Sequence, residues 1–227
     1  MNGLLDDDGV WQVEDDKMVE IAIGYYGDLF STSNSVEFSE LLLAVKPKVT
    51  QEMNDWLVRP FVESEVKGAL KQMYQLKAPG LDEMPPLFFQ HFWSTNSMVV
   101  IKTVLDFLNF GISPPNFNDT HITLVPKIKE PKKITDYKPI SLRNVVYNAP
   151  YQSEKGGGGK VGEMALKLDM SKAYNRVEWV WLEKVIEKLS FADRVRDLIM
   201  RCVSMVTYSI KINGAPRGHI IPYRGIH

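Results

Sequence analysis

Asparagine and glycine at positions 213 and 214 constrain the fold of this chain more than any other pair of residues. Before them Tyr208, Ile210 and Ile212 alternate with polar neighbours, and after them a second run leads through His219 to Ile221. The tightest hairpin turns need positive φ, which Asn and Gly tolerate, so the two runs are expected to pair as antiparallel strands. Ahead of the hairpin, Leu182, Val185, Ile186 and Leu189 repeat at helical spacing, as do Val195, Leu198, Ile199, Cys202, Val203 and Val206. Before those, Met164, Leu166 and Leu168 alternate into Asp169, which marks a strand. Strand, helix, helix and hairpin in this order predict an α+β fold with helices packed on a mainly antiparallel sheet.

The rest of the chain supplies more helices and one further strand. Ile21, Tyr25, Tyr26, Leu29 and Phe30 have helical spacing and predict a helix that packs its aromatic face on the main body. From Val62, the positions Val66, Ala69, Leu70, Met73 and Tyr74 continue one stripe until Ala78-Pro79-Gly80 stops it. A third helix spans Val99 to Phe110 and ends at Gly111, with Pro114 and Pro115 beyond. HITLVP, residues 121 to 126, reads as a strand running into a basic loop over 127 to 142. In that loop Lys127, Lys129, Lys132, Lys133 and Lys138 face only Glu130 and Asp136. Residues 148 to 163 hold four consecutive glycines and read as a linker, because glycine loses most entropy on ordering.

Composition narrows the function classes without choosing among them. With 44% hydrophobic and 24% charged residues, the 227-residue chain has an ordinary globular balance. A formal net charge of −1 means that any nucleic-acid partner must be met by a local basic surface. The single cysteine, Cys202, excludes an internal disulfide framework and a Cys-rich zinc site, and fits a reducing compartment, nucleus or cytoplasm. MNGLLDDDGVW has acids where a secretory signal has basic residues, so secretion is not expected. No apolar run approaches the roughly 18 residues that cross a bilayer, so no membrane partner is expected either.

Several sites admit two readings from spacing alone. Asp169 stands on the accessible face at a strand end, where an acid serves as a helix N-cap or as a metal ligand. Two-metal phosphoryl transfer needs several carboxylates around Mg²⁺ ions about 3.5–4 Å apart. Near Asp169 only Asn175 and Glu178, the latter expected inside the following helix, offer further oxygens. The lysine loop is either a solvated surface or a set of point charges aimed at phosphates. GGGGK lacks the Ser or Thr after its lysine that a phosphate loop requires, since Val161 follows Lys160. The histidines show no HExxH spacing and no Gly-x-Ser-x-Gly elbow occurs, so zinc and serine hydrolysis have no support; His91, in an aromatic stretch, is expected to be partly buried and structural.

Four blocks, KAPGLDEMPPLFFQHFW, ITLVPKIKEPKKITDYKPISL, LKLDMSKAYNRVEW and YSIKINGAPRGHIIPYRGI, stand in this order. Together they resemble the reverse transcriptase of plant LINE-type non-LTR retrotransposons, over nearly the whole chain apart from the glycine run. The resemblance implies a right-hand polymerase of fingers and palm that copies RNA into DNA with Mg²⁺. Its partners are an RNA template, a DNA primer and a deoxynucleoside triphosphate. Asp169 matches the first catalytic, metal-binding aspartate. Tyr174 matches the residue that senses the incoming sugar, and Lys127 and Lys138 match finger residues near the triphosphate.

The departures shape the functional expectation. Asn175 stands where the family has Asp, Lys138 where it has Arg, and Leu81-Asp82-Glu83 where it has Pro-Asp-Gly. The glycine run replaces a longer finger segment. The chain stops at Arg224-Gly225-Ile226-His227, ahead of the segment in which the family keeps its remaining metal carboxylates. The expected organisation is a helical region over 1–60, a fingers-like part over 61–147, a linker or deletion junction over 148–163 and an incomplete palm over 164–227. The expected function is that of a reverse-transcriptase fragment, inactive alone. The alternative is a noncatalytic nucleic-acid-binding remnant that uses the lysine loop and the aromatic patches.

Overall fold

A computed structural model describes residues 1–32, 39–147 and 174–226. Its frame is one four-stranded sheet in the order β4-β3-β5-β6. Strand β3 (Asp119–Pro126) pairs antiparallel with β4 (Tyr137–Arg143), from Thr120 opposite Arg143 to Pro126 opposite Tyr137. Strand β5 (Thr207–Ile212) pairs antiparallel with β6 (Ala215–Ile220) through a turn in which Asn213 and Gly214 both have positive φ, 49° and 89°. The two hairpins are joined by a parallel pairing of β3 with β5, from Asp119 beside Thr207 to Thr123 beside Lys211. The fold is thus α+β with a mixed sheet. A short two-stranded hairpin, β1 (Leu4–Leu5) and β2 (Trp11–Gln12), forms a separate sheet, with Leu4 buried in the core beneath the larger one.

Helix α1 (Asp15–Phe30) covers one face of the sheet. Met18, Ala22, Tyr26 and Phe30 recur every fourth residue, so they form one stripe, and all are buried. They pack with Ile122, Tyr208, Ile210, Ile212 and Ile220, the inward side chains of β3, β5 and β6. The Phe30 ring lies 5.0 Å from that of Tyr208. Fully burying each such isoleucine contributes about 2 kcal/mol relative to leaving it exposed. Close approach is possible because residue 218 is glycine at φ 71°, and a Cβ there would overlap the Ile23 side chain.

The remaining helices build a second core. Helices α2 (Ser39–Leu43) and α3 (Gln51–Leu57) lead to α4 (Glu63–Gln72), α5 (Pro86–His91) and α6 (Trp93–Phe110). Val66, Leu70, Phe89, Val104 and Phe107 meet Phe117 and Tyr147 there. Helices α7 (Trp179–Lys188) and α8 (Asp193–Ser204) form a hairpin. Asn54 of α3 clamps its turn, donating to the Ser190 carbonyl and accepting from the Ala192 N–H at 2.7 and 2.8 Å.

Three expectations are corrected. The basic segment is not all loop, since Tyr137–Arg143 forms β4. Lys138 and Pro139 disguise it, and proline is tolerated because β4 is an edge strand. Helix α4 stops at Gln72, not near Ala78, and Tyr74 is exposed. The Gln90 amide donates to the Leu70 and Met73 carbonyls at 2.9 Å each, which satisfies the end of the helix from outside it. His91 is exposed, its ring 4.8 Å from that of Phe92 in a T-shaped arrangement. The expected strand from Met164 to Asp169 and the glycine linker lie outside the described residues.

Candidate functional site

The β3–β4 ribbon outruns the rest of the sheet. Pairing of β5 with β3 ends at Thr123, whereas β3 and β4 stay paired as far as Pro126 and Tyr137. The turn beyond carries the lysines and is closed by its own backbone. Lys127 N–H donates to the Asp136 carbonyl, and Lys127 Nζ donates to the Thr135 carbonyl, both at 2.8 Å. The Asp136 carboxylate accepts from Lys132 N–H and Lys133 N–H at 2.9 and 2.8 Å. These backbone bonds, with the nearby Lys133 and Lys127 charges, hold its carboxyl below the usual carboxylate range.

This arrangement matters electrostatically. Asp136 is occupied by backbone donors. Among the described residues, Lys127, Lys129, Lys132, Lys133 and Lys138 make no ion pair with any carboxylate. All five are exposed. Lys138 stands opposite Val125, on the sheet face away from α1, beside the part-exposed Ile140. Cations without carboxylate partners on a projecting ribbon attract a polyanion more strongly than the net charge of −1 implies.

The KAPG block comes to the base of this ribbon. Gly80 packs so closely on Arg143, the last residue of β4, and on Asn144 after it that any Cβ would overlap their backbone. Asp82 N–H donates to Asn144 Oδ1 at 3.1 Å, and the Asp82 carboxylate accepts from Met84 N–H at 3.1 Å. Burial pushes the Asp82 carboxyl up despite that bond. Burial and the Arg143 guanidinium push the Lys77 ammonium down. The KAPG block is therefore tied to the end of β4 and the residue that follows it.

The expected polymerase centre is described only in part. Asp169 lies outside the described residues, and Tyr174 begins a 3-10 turn, Tyr174–Arg176. Glu178 precedes α7 as its N-cap residue instead of lying inside the helix. Its carboxylate is held by Arg224 at 3.3 Å and by the Thr32 hydroxyl at 2.8 Å, which commits it to structure. Among the described residues, no group of three or more His, Cys, Asp or Glu side chains could hold a metal ion. No described helix is long and apolar enough to cross a membrane.

One feature escaped the sequence patterns. A crevice of about 800 Å³ opens where the carboxyl ends of the parallel strands β3 and β5 diverge. Trp11, Lys129, Lys132 and Lys211 line it. Lys211 is a polar residue on an alternating strand and Trp11 belongs to a two-residue strand, so neither carries a local signal.

No family model matches the chain. Among curated proteins it is distantly similar to the transposon TX1 uncharacterized 149 kDa protein of Xenopus laevis, at 23% identity over 98% of the chain. The chain spans about a fifth of the length of that relative. The alignment runs over 261 positions against 227 residues, so the relative carries additional residues within the matched region.

Proposed function

We propose that the chain is part of a retrotransposon reverse transcriptase, contributing fingers and the first section of the palm, and that alone it holds nucleic acid without copying it. The observation that carries this reading is the projecting ribbon, whose five lysines are exposed and without carboxylate partners among the described residues. The ribbon lies in a chain similar to a transposon-encoded protein. In this proposal Lys127 and Lys138 face phosphates of the triphosphate or of the template and primer. Asp169 is the first metal carboxylate, and Tyr174 screens the sugar of the incoming nucleotide. Mg²⁺, when bound by the complete set of carboxylates, supplies the charge that such phosphoryl transfer needs. The extra residues of the relative agree with a deletion somewhere in this chain, and the proposal puts it at the glycine run.

A second reading, a noncatalytic nucleic-acid-binding remnant, is favoured by one specific fact: the ribbon turn is held together by its own residues Asp136 and Thr135. Binding tests what the two readings share, and primer extension tests the claim that the chain is inactive alone. Purified chain titrated with an RNA–DNA hybrid is expected to bind with an affinity that falls as salt rises. Lys127→Gln with Lys138→Gln should flatten that dependence. Salt-independent binding, or none, overturns both readings. Primer extension that disappears in Asp169→Ala overturns the claim that the chain is inactive alone.

A further inference from the structure

We infer that the crevice beside the ribbon is a binding site for single-stranded nucleic acid, separate from the phosphate contacts of Lys127 and Lys138. The inference rests on the nucleic-acid reading above and deepens it. Lys129 and Lys132 come from the ribbon turn, Lys211 from the end of β5 and Trp11 from the β1–β2 hairpin, so three separate elements converge on one cavity.

The chemistry of the lining selects the ligand class. Three ammonium groups against one lining carboxylate, Glu130, leave a local excess of positive charge, and none of the three is ion-paired among the described residues. A polyanion is therefore favoured over a neutral or cationic ligand. The rest of the wall is mostly apolar, including Leu124, Pro126 and Ile212. Inorganic phosphate alone gains nothing from such a surface. Trp11 is 43% exposed while lining the cavity. Its ring lies against the backbone of Gly3, where a Cβ would come within 2.5 Å of the indole. An indole fixed from behind and open in front, with cations around it, suits an unstacked base and its flanking phosphates. A duplex keeps its bases stacked inside and cannot present one to Trp11. The open carboxyl end of a parallel strand pair is also where sheets commonly leave room for ligands.

The experiment is a fluorescence anisotropy titration of the full chain with labelled oligodeoxythymidylate and, separately, with an RNA–DNA hybrid, over a range of salt. Trp11→Ala should weaken single-strand binding roughly tenfold, and Trp11→Phe should restore most of it. Combining Lys129→Gln, Lys132→Gln and Lys211→Gln should reduce the salt slope for the single strand by about 2, as expected for three lost phosphate contacts. Hybrid binding should change far less, while Lys127→Gln with Lys138→Gln should show the opposite preference. Thermal unfolding of each variant separates lost contacts from lost fold, with Trp11→Phe as the conservative control. Single-strand binding indifferent to Trp11 and to the three lysines overturns the crevice assignment and leaves the broader reading standing. Polyglutamate competing as well as the oligonucleotide also overturns it, in favour of an acidic polypeptide. Wild-type protein that binds neither single strand nor hybrid overturns both.

Discussion

Arg224 forms an ion pair with Glu178 at 3.3 Å, and both side chains are largely withdrawn from solvent, at 15% and 12% exposure. The same guanidinium donates to the carbonyls of Leu29 and Asp28 at 2.8 and 3.3 Å. These belong to the last turn of α1, whose carbonyls have no partners within the helix. One arginine therefore ties the end of the described chain to the segment before α7 and to the helix that covers the sheet. Gly225 reinforces the link, its N–H donating to the Val177 carbonyl and its carbonyl accepting from the Trp179 indole, each at 2.8 Å.

Removing the second partner of this pair should cost less than removing the first. Glu178→Ala leaves a guanidinium with little access to water, and the expected loss is about 3 kcal/mol of unfolding free energy. Arg224→Ala loses a similar amount, because it also removes the side-chain donor to the Leu29 carbonyl at the end of α1. The double variant should be less destabilised than the sum of the singles, with a coupling on the order of 1–2 kcal/mol. Urea unfolding of the four proteins checks this, and strictly additive losses would show that the pair is incidental.

Glu83 occupies a left-handed backbone conformation at φ 56°, where the resembling family has glycine. An L side chain in that region costs roughly 1–2 kcal/mol relative to glycine. Glu83→Gly is therefore expected to stabilise the protein by about 1 kcal/mol, since part of the relief is offset by a freer unfolded chain. A midpoint of urea unfolding that falls in this variant contradicts the conformational account.

Gly80 makes the opposite case three residues earlier. Its limit is space, because the Arg143–Asn144 backbone stands where a Cβ would be. Gly80→Ala must push the KAPG loop off the base of β4 and should destabilise by about 2 kcal/mol, as overpacking does. It should also increase hydrogen exchange at Asp82 N–H, which donates to Asn144 Oδ1.

These cases show which parts of the fold could be read from residue order. The 208–221 hairpin, the aromatic stripe of α1 and the stop at Gly111 are local features, each set by residues within a few positions. Gly111 takes φ 70°, as a helix stop of that kind requires. Strand β4 stayed hidden because Lys138 and Pro139 mask an inward set of Tyr137, Pro139 and Ser141 that only pairing with β3 reveals. The end of α4 depends on Gln90, which lies 20 positions beyond the first carbonyl it caps. The parallel pairing of β3 with β5 joins residues that no local pattern connects, and with it the crevice was invisible. Lys127 and Lys138 were legible as a charge cluster. Asp169 and Tyr174 drew their roles from the family resemblance, and those roles remain part of the proposal.

His121 gives the stability of the sheet a pH dependence whose sign can be worked out. It lies on β3 between Leu142 of β4 and Ser209 of β5, and only 9% of it is exposed. Burial, and then the Lys211 ammonium, push its pKa below the ordinary 6.5, with Asp119 opposing them weakly. The unfolded chain therefore takes up a proton at a pH where the folded protein does not. Stability is fully present above about pH 6.5 and declines as pH falls toward the lowered folded value. Thermal unfolding between pH 7.5 and 5.5 should show a midpoint that drops across the lower half of that range. His121→Gln should remove that part of the slope. Lys211→Gln should shrink it without abolishing it, because burial, the larger cause, remains. An unchanged slope in His121→Gln would assign the pH dependence to other groups.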